Sequence, residues 1–147
     1  MRLIVEPKEA IAEYIAGKQN TKPKWVNYVA IGLVDSFDKL VAGAVFEGYN
    51  HPVIHMHIAA DKMTPLFTAA IMDYPFRQLK CKRITGIIEK RNKKSRRFAH
   101  HLGAKLEGVM VDASEVGDVC IYGLLAKDAE KWLSSKYQRK LEVIWAD

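Results

Sequence analysis

Between Arg83 and Gly108 the chain carries a strand, a helix and a second strand with their punctuation in place. No other stretch limits the fold as much. Ile84 to Glu89 is rich in β-branched residues, contains Gly86, and reads as a short strand. Asn92 follows, a residue whose side-chain oxygen satisfies a free amide at a helix start. Lys93 to Leu102 has helical spacing, with Phe98 and Leu102 on one face. Gly103 supplies the left-handed conformation that ends a helix. Leu106 to Val111 then begins a new strand. Such a unit belongs in an α/β or α+β domain.

The remaining elements extend the alternation. Leu3 to Val5 predicts a strand, and Pro7 starts a helix that carries Ile11, Tyr14 and Ile15 at helical spacing. Lys18 to Lys24 is polar, contains Pro23 and reads as a loop. Asn27 to Leu33 and Leu40 to Glu47 predict an antiparallel hairpin around Asp35-Ser36-Phe37-Asp38. After a break at Asn50-His51-Pro52, Val53 to Ala59 alternates. This sets His55 and His57 on one face and Ile54, Met56 and Ile58 on the other. Thr64 and Pro65 open a helix that Pro75 kinks or interrupts before Leu79. Past Gly108, a polar connection from Asp112 to Asp118 leads to a strand over Val119 to Leu125. Lys127 to Tyr137 predicts a helix, and Leu141 to Trp145 a last strand or tail. The order β-α-β-β-β-α-β-α-β-β-α predicts a mixed, largely antiparallel sheet flanked by helices, as one domain over 1–147.

With 147 residues, 49% of them hydrophobic and 27% charged, the chain suits one core. Its apolar runs are too short to cross a bilayer, so no membrane partner is expected. Met1 to Pro7 does not read as a signal peptide, which predicts a cytoplasmic location. Cys81 and Cys120 have no second cysteine or histidine at ligand spacing; they read as reduced structural thiols, and no metal is expected. The net charge is +6, and nine Lys or Arg residues against one acid, Glu89, lie between Lys80 and Arg97. Such a run attracts cofactor phosphates or RNA and DNA, or is a solvated basic face.

The pattern N-x-x-S-x-x-F-x-x-x-L-G-x-x-x-E-G runs through Asn92, Ser95, Phe98, Leu102, Gly103, Glu107 and Gly108. With the strand before it, it resembles the GNAT acyltransferase superfamily. Its Glu-Gly ending is similar to the branch that acetylates the N-termini of ribosomal proteins. The resemblance implies the GNAT-like acyl-CoA N-acyltransferase fold, acetyl-CoA as co-substrate, and an amine of a protein or small molecule as acceptor. It places Asn92 and Ser95 beside the pantetheine arm, and Arg96 and Arg97 near the 3′-phosphate with Lys93 and Lys94. It puts the thioester carbonyl against the backbone from Met56 to Ile58. Lys62, Met63, Thr64 and Leu66 fall in the loop that holds the pyrophosphate in relatives. That loop usually reads Arg/Gln-x-x-Gly-x-Gly/Ala. The segment Ala59 to Thr68 has no glycine, and Pro65 lacks an N–H, so the loop reads as degenerate, with Lys62 and the helix dipole remaining. The tyrosine that many relatives carry seven residues after the Asn is Ala99, and the aromatic after Leu-Gly is Ala104.

Amine acetylation needs a base, hydrogen-bond donors for the oxyanion and a proton for the leaving thiolate. His57 and His55 are candidate bases, Glu47 an alternative, and Tyr122 a candidate donor to the thiolate. His100 and His101 read as surface residues or partners of the helix dipole. Three functions follow: an N-acetyltransferase, a GNAT-like binding or structural module without catalysis, or a basic nucleic-acid-associated protein. The short N-terminal half, with one helix, predicts an open acceptor site suited to a large substrate.

Overall fold

A computed structural model describes residues 1–146. Seven strands form one sheet: β1 (Arg2–Ile4), β2 (Val29–Val34), β3 (Leu40–Asn50), β4 (Val53–Ala60), β5 (Arg83–Glu89), β6 (Lys105–Ser114) and β7 (Gly117–Leu125). Their order across the sheet is β1-β2-β3-β4-β5-β7-β6. Every pairing is antiparallel except β4 with β5. The helices are α1 (Lys8–Lys18), α2 (Pro65–Asp73), α3 (Lys93–Leu102), α4 (Ala126–Ala129) and α5 (Ser135–Ala146). The predicted element order and the mixed, mostly antiparallel sheet are both observed.

Strand alternation divides the core between the two faces of the sheet. On one face α1 inserts Ile11 and Ile15, both fully buried with Ala30 and Val45. Gly32 and Gly43, paired across β2 and β3, let it come close. A Cβ on Gly43 would stand 3.0 Å from Ile11 Cγ2, and one on Gly32 3.1 Å from Ile11 Cγ1. The other face carries the larger core, with Phe46, Ile54, Ile84 and Tyr122 against Phe67, Ile71, Met72 and Leu102.

At Pro75 the expected interruption of the α-helix is observed, and its form is specific. α2 passes into a π-helical turn, Tyr74–Gln78, in which the Leu79 amide donates to the Tyr74 carbonyl at 3.0 Å. The wider turn absorbs the missing proline N–H. Several boundaries differ from expectation. β6 and β7 run on through the polar stretch from Asp112 and close in a tight turn before Gly117, whose φ is +131°. The helix expected over Lys127 to Tyr137 is three pieces: α4, a 3₁₀ turn Glu130–Trp132, and α5. Leu141 to Trp145 is not a strand. It lies within α5, where buried Leu141 joins the core. The segment adds no strand to the sheet, and α5 packs on α2 instead.

Candidate active site

β4 and β5 pair over three residues only: Val53, Ile54 and His55 stand opposite Arg83, Ile84 and Thr85. Beyond that point the strands part, β4 continuing to Ala60 and β5 to Glu89. The gap holds a cleft of about 480 Å³, lined by the end of α1, the parted strands, α3 and β7. The backbone groups on the facing edges of β4 and β5 have no strand partner there, so those amides between Met56 and Ile58 that alternate away from β3 are donors to whatever enters.

The alternation predicted for β4 gives the cleft two different sides. His55 and His57 point to the face that carries α1. His57 lines the cleft, and its Nε2–H donates to Glu47 Oε1 at 3.0 Å. Nδ1 is left as the basic nitrogen, and the Trp25 ring lies against the imidazole with centroids 4.9 Å apart. Glu47 stands on β3, directly opposite His55 in the register, and His55 Nδ1 is 3.9 Å from the same oxygen. His57, His55 and Glu47 are therefore one cluster, with His57 its member on the cleft. Glu89, on the α1-facing side of β5, also lines the cleft. Its Oε2 is buried without a hydrogen bond, and Arg91 Nε lies 3.6 Å away, an ion-pair distance only.

On the opposite face α3 forms the wall. Asn92 Oδ1 accepts from the Ser95 amide at 3.2 Å, and Gly103 closes the helix with φ +107°. The capping oxygen is used internally; the Asn92 Nδ2 donors remain for a ligand. Asn92, Ser95, Phe98 and Ala99 all line the cleft. Tyr122 lines it from β7 and is 1% exposed. Its hydroxyl accepts from Arg96 Nε at 3.0 Å and lies 3.2 Å from His100 Nε2. Arg96 is thus turned toward Tyr122 and the Lys90 carbonyl, while Arg97 is exposed.

The junction of β4 with α2 is differently equipped. The amides of Asp61 and Lys62 donate to the Val41 carbonyl at 2.7 and 3.1 Å. Thr64 caps α2, its Oγ1 accepting from the Phe67 amide at 3.1 Å. Met63 and Leu66 pack against the core. The Asp61 carboxylate accepts from Lys18 Nζ at 2.7 Å and from the Tyr14 hydroxyl at 2.8 Å. The bonds from Lys18 and Tyr14 hold its pKa below the ordinary carboxylate range, so a fixed anion stands at this corner.

The ends of the stretch from Arg83 to Gly108 meet. Arg83 binds Glu107 through two hydrogen bonds, the shorter 2.6 Å, and lowers the pKa of that carboxyl. Glu107 is the extra residue of a bulge, since Leu106 faces Tyr122 and Gly108 faces Ile121. Gly123 leaves the space the ion pair fills. The basic run is not one free face. Lys80, Arg83, Arg91, Lys94 and Arg96 hold partners in the chain.

Trp25, Glu89, His100 and the α1 terminus from Lys18 to Thr21 were not singled out as site residues by the sequence. For Glu89 a signal existed, as the single acid in a basic run. His100 could be found only once β7 was known to lie under α3. Among the described residues no cluster suits a metal, and both cysteines are buried and free.

No protein-family model and no curated protein sequence matches the chain. Its fold is similar to solved structures of spermidine N-acetyltransferase from Vibrio cholerae. A mutant of that enzyme aligns with a TM-score of 0.74 at 15% identity, covering 92% of this chain and 99% of the other. The enzyme in complex with CoA and spermine aligns with a TM-score of 0.67 at 14% identity, covering 90% and 98%. The architecture is the GNAT fold.

Proposed function

We propose that this chain is an N-acetyltransferase that moves an acetyl group from acetyl-CoA to a primary amine. One observation carries the reading. The gap between β4 and β5 joins a face bearing a histidine–carboxylate pair to a face bearing the Asn92-capped helix. A thioester lying along α3 and an amine arriving beside His57 meet in that gap. Binding of CoA and spermine by the solved relative supports the same pair of ligands.

The chemistry follows from the placement. His57 Nδ1 takes the proton of the incoming ammonium, and Glu47 stabilises the imidazolium through Nε2–H. Glu89 offers its unbonded oxygen to a cationic acceptor on the same face. The neutral amine attacks the thioester carbonyl. Unpaired β4 amides between Met56 and Ile58 stabilise the oxyanion, at no reorganisation cost, because the strand already holds them. Asn92 and Ser95 align the pantetheine arm, and Tyr122 stands where a proton reaches the departing sulfur. With one helix before β2, the acceptor side admits a large amine substrate such as a protein N-terminus, as in the ribosomal-protein branch that the Glu107-Gly108 ending resembles.

Calorimetry with acetyl-CoA and CoA tests the reading; absence of binding at millimolar ligand ends it. Replacing His57→Ala should lower kcat by about 10²-fold or more with CoA binding retained. The spent amides of Asp61 and Lys62 favour a second reading, a GNAT-like module with a degenerate pyrophosphate loop and no catalysis. Turnover of any amine that His57→Ala abolishes excludes it.

A further inference from the structure

Resting on the acetyltransferase reading, we propose that His100, Tyr122 and Arg96 form a proton relay that delivers a solvent proton to the leaving thiolate. Tyr122 is the only one of the three that lines the cleft among the described residues, and it is nearly inaccessible to bulk water at 1% exposure. Its hydroxyl lies against the turn of α3 that presents Ser95 and Ala99 to the cleft. On the other side stands His100, exposed at the helix surface, its ring edge-on to the tyrosine at 87° and 5.2 Å between centroids. His100 Nε2 is 3.2 Å from the hydroxyl, and Arg96 Nε donates to it at 3.0 Å. Arg96 is itself tied to the Lys90 carbonyl at 3.1 Å, so its charge cannot swing away.

A buried tyrosine that lines a reaction cleft, touches an exposed histidine and accepts from a fixed guanidinium has three properties. It gives up its proton on the cleft side, its tyrosinate is held by Arg96, and it is refilled from solvent through His100. When the tetrahedral intermediate collapses, the C–S bond breaks and its electron pair goes to sulfur. The Tyr122 O–H proton passes to that sulfur, giving the free thiol. The tyrosinate takes the Nε2 proton of the His100 imidazolium, and His100 takes one from water. The first ammonium proton has already gone to His57, and the second, carried on nitrogen after the attack, passes to water in the cleft as the intermediate collapses. The products are the amide, the thiol and, once His57 has returned its proton to solvent, one proton released net.

The test varies the leaving group. Wild-type turnover of acetyl-CoA comes first; if there is none, the acetyltransferase reading itself fails and the relay with it. Given turnover, Tyr122→Phe should lower kcat by about 10²-fold with acetyl-CoA, the low end for general acid catalysis, with KM unchanged. With an acetyl thioester of an acidic aryl thiol, which leaves without protonation, the same variant should match wild type within a few-fold. His100→Ala should lose about tenfold with acetyl-CoA, recover on adding imidazole, and show no loss with the aryl thioester. Equal losses of Tyr122→Phe with both donors would make the hydroxyl a packing group and overturn the relay. So would a His100→Ala defect that imidazole leaves unchanged, or full activity of Tyr122→Phe with acetyl-CoA.

Discussion

Helices α2 and α3 both begin with a side-chain cap, Thr64 accepting from the Phe67 amide and Asn92 from the Ser95 amide, and the start of α3 lines the cleft. They are neighbours: Lys94, in the first turn of α3, reaches the Ala60 carbonyl at the end of β4. Yet the two starts offer a ligand different things. Before α3 the chain keeps an amide side chain and a small serine turned to the cleft. Before α2 the amides of Asp61 and Lys62 are consumed by Val41, Pro65 has none, and an aspartate sits between Lys18 and Tyr14. The macrodipole is present in both. A helix start serves an anion through its dipole and its free N–H groups together, and in the first turn of α2 Pro65 has no N–H and the Phe67 amide is held by Thr64.

Paired cap substitutions test this contrast most sharply. Thr64→Ala and Asn92→Ala should each cost about 1 kcal/mol of stability in denaturant titrations, as lost caps do. Only Asn92→Ala should also weaken CoA binding, by roughly tenfold, the worth of one amide hydrogen bond in a partly buried site. Equal effects on binding would erase the distinction between the helices.

A smaller effect is expected at Asp61. Replacing Asp61→Asn removes a fixed negative charge and frees Lys18. CoA affinity measured by calorimetry should rise about fivefold, equivalent to about 1 kcal/mol. Weaker binding would show that Asp61 organises the site rather than opposing the diphosphate.

The smallest effect belongs to Arg83 and Glu107, which tie the α3 unit together. The folded-state pKa of Glu107 is lowered by Arg83. Its stabilisation is therefore complete above the ordinary carboxylate range and is lost as pH falls through the folded value. Glu107→Gln should lower stability by under about 1 kcal/mol at neutral pH, since both side chains are partly exposed. Thermal melts of the two proteins should converge in acid.

The stretch from Arg83 to Gly108 was legible because its signals are local. An Asn cap acts on an amide three residues on, and Gly103 ends the helix through its own φ. The α3 bounds agree with the sequence residue for residue for that reason. The alternation of β4 was equally local and placed His55 and His57 on one face without the fold. The C-terminal segment was misread because Leu141 to Trp145 is short and, apart from Glu142, apolar, and such a run becomes strand or helix according to what is there to cover it. The helical core beside α2 decided it.

By itself, then, the sequence determined the element order, the capped helix and the candidate residues, all set by interactions within a few positions of the chain. The tertiary structure decided which of them share a site. The parting of β4 from β5, the turn of Glu47 behind His57, and the meeting of Tyr122 with His100 and Arg96 join residues 10, 22 and 26 positions apart. Those contacts depend on which strand lies next to which and where the pairing stops. That is fixed by the packing of both faces of the sheet, and no local preference records it.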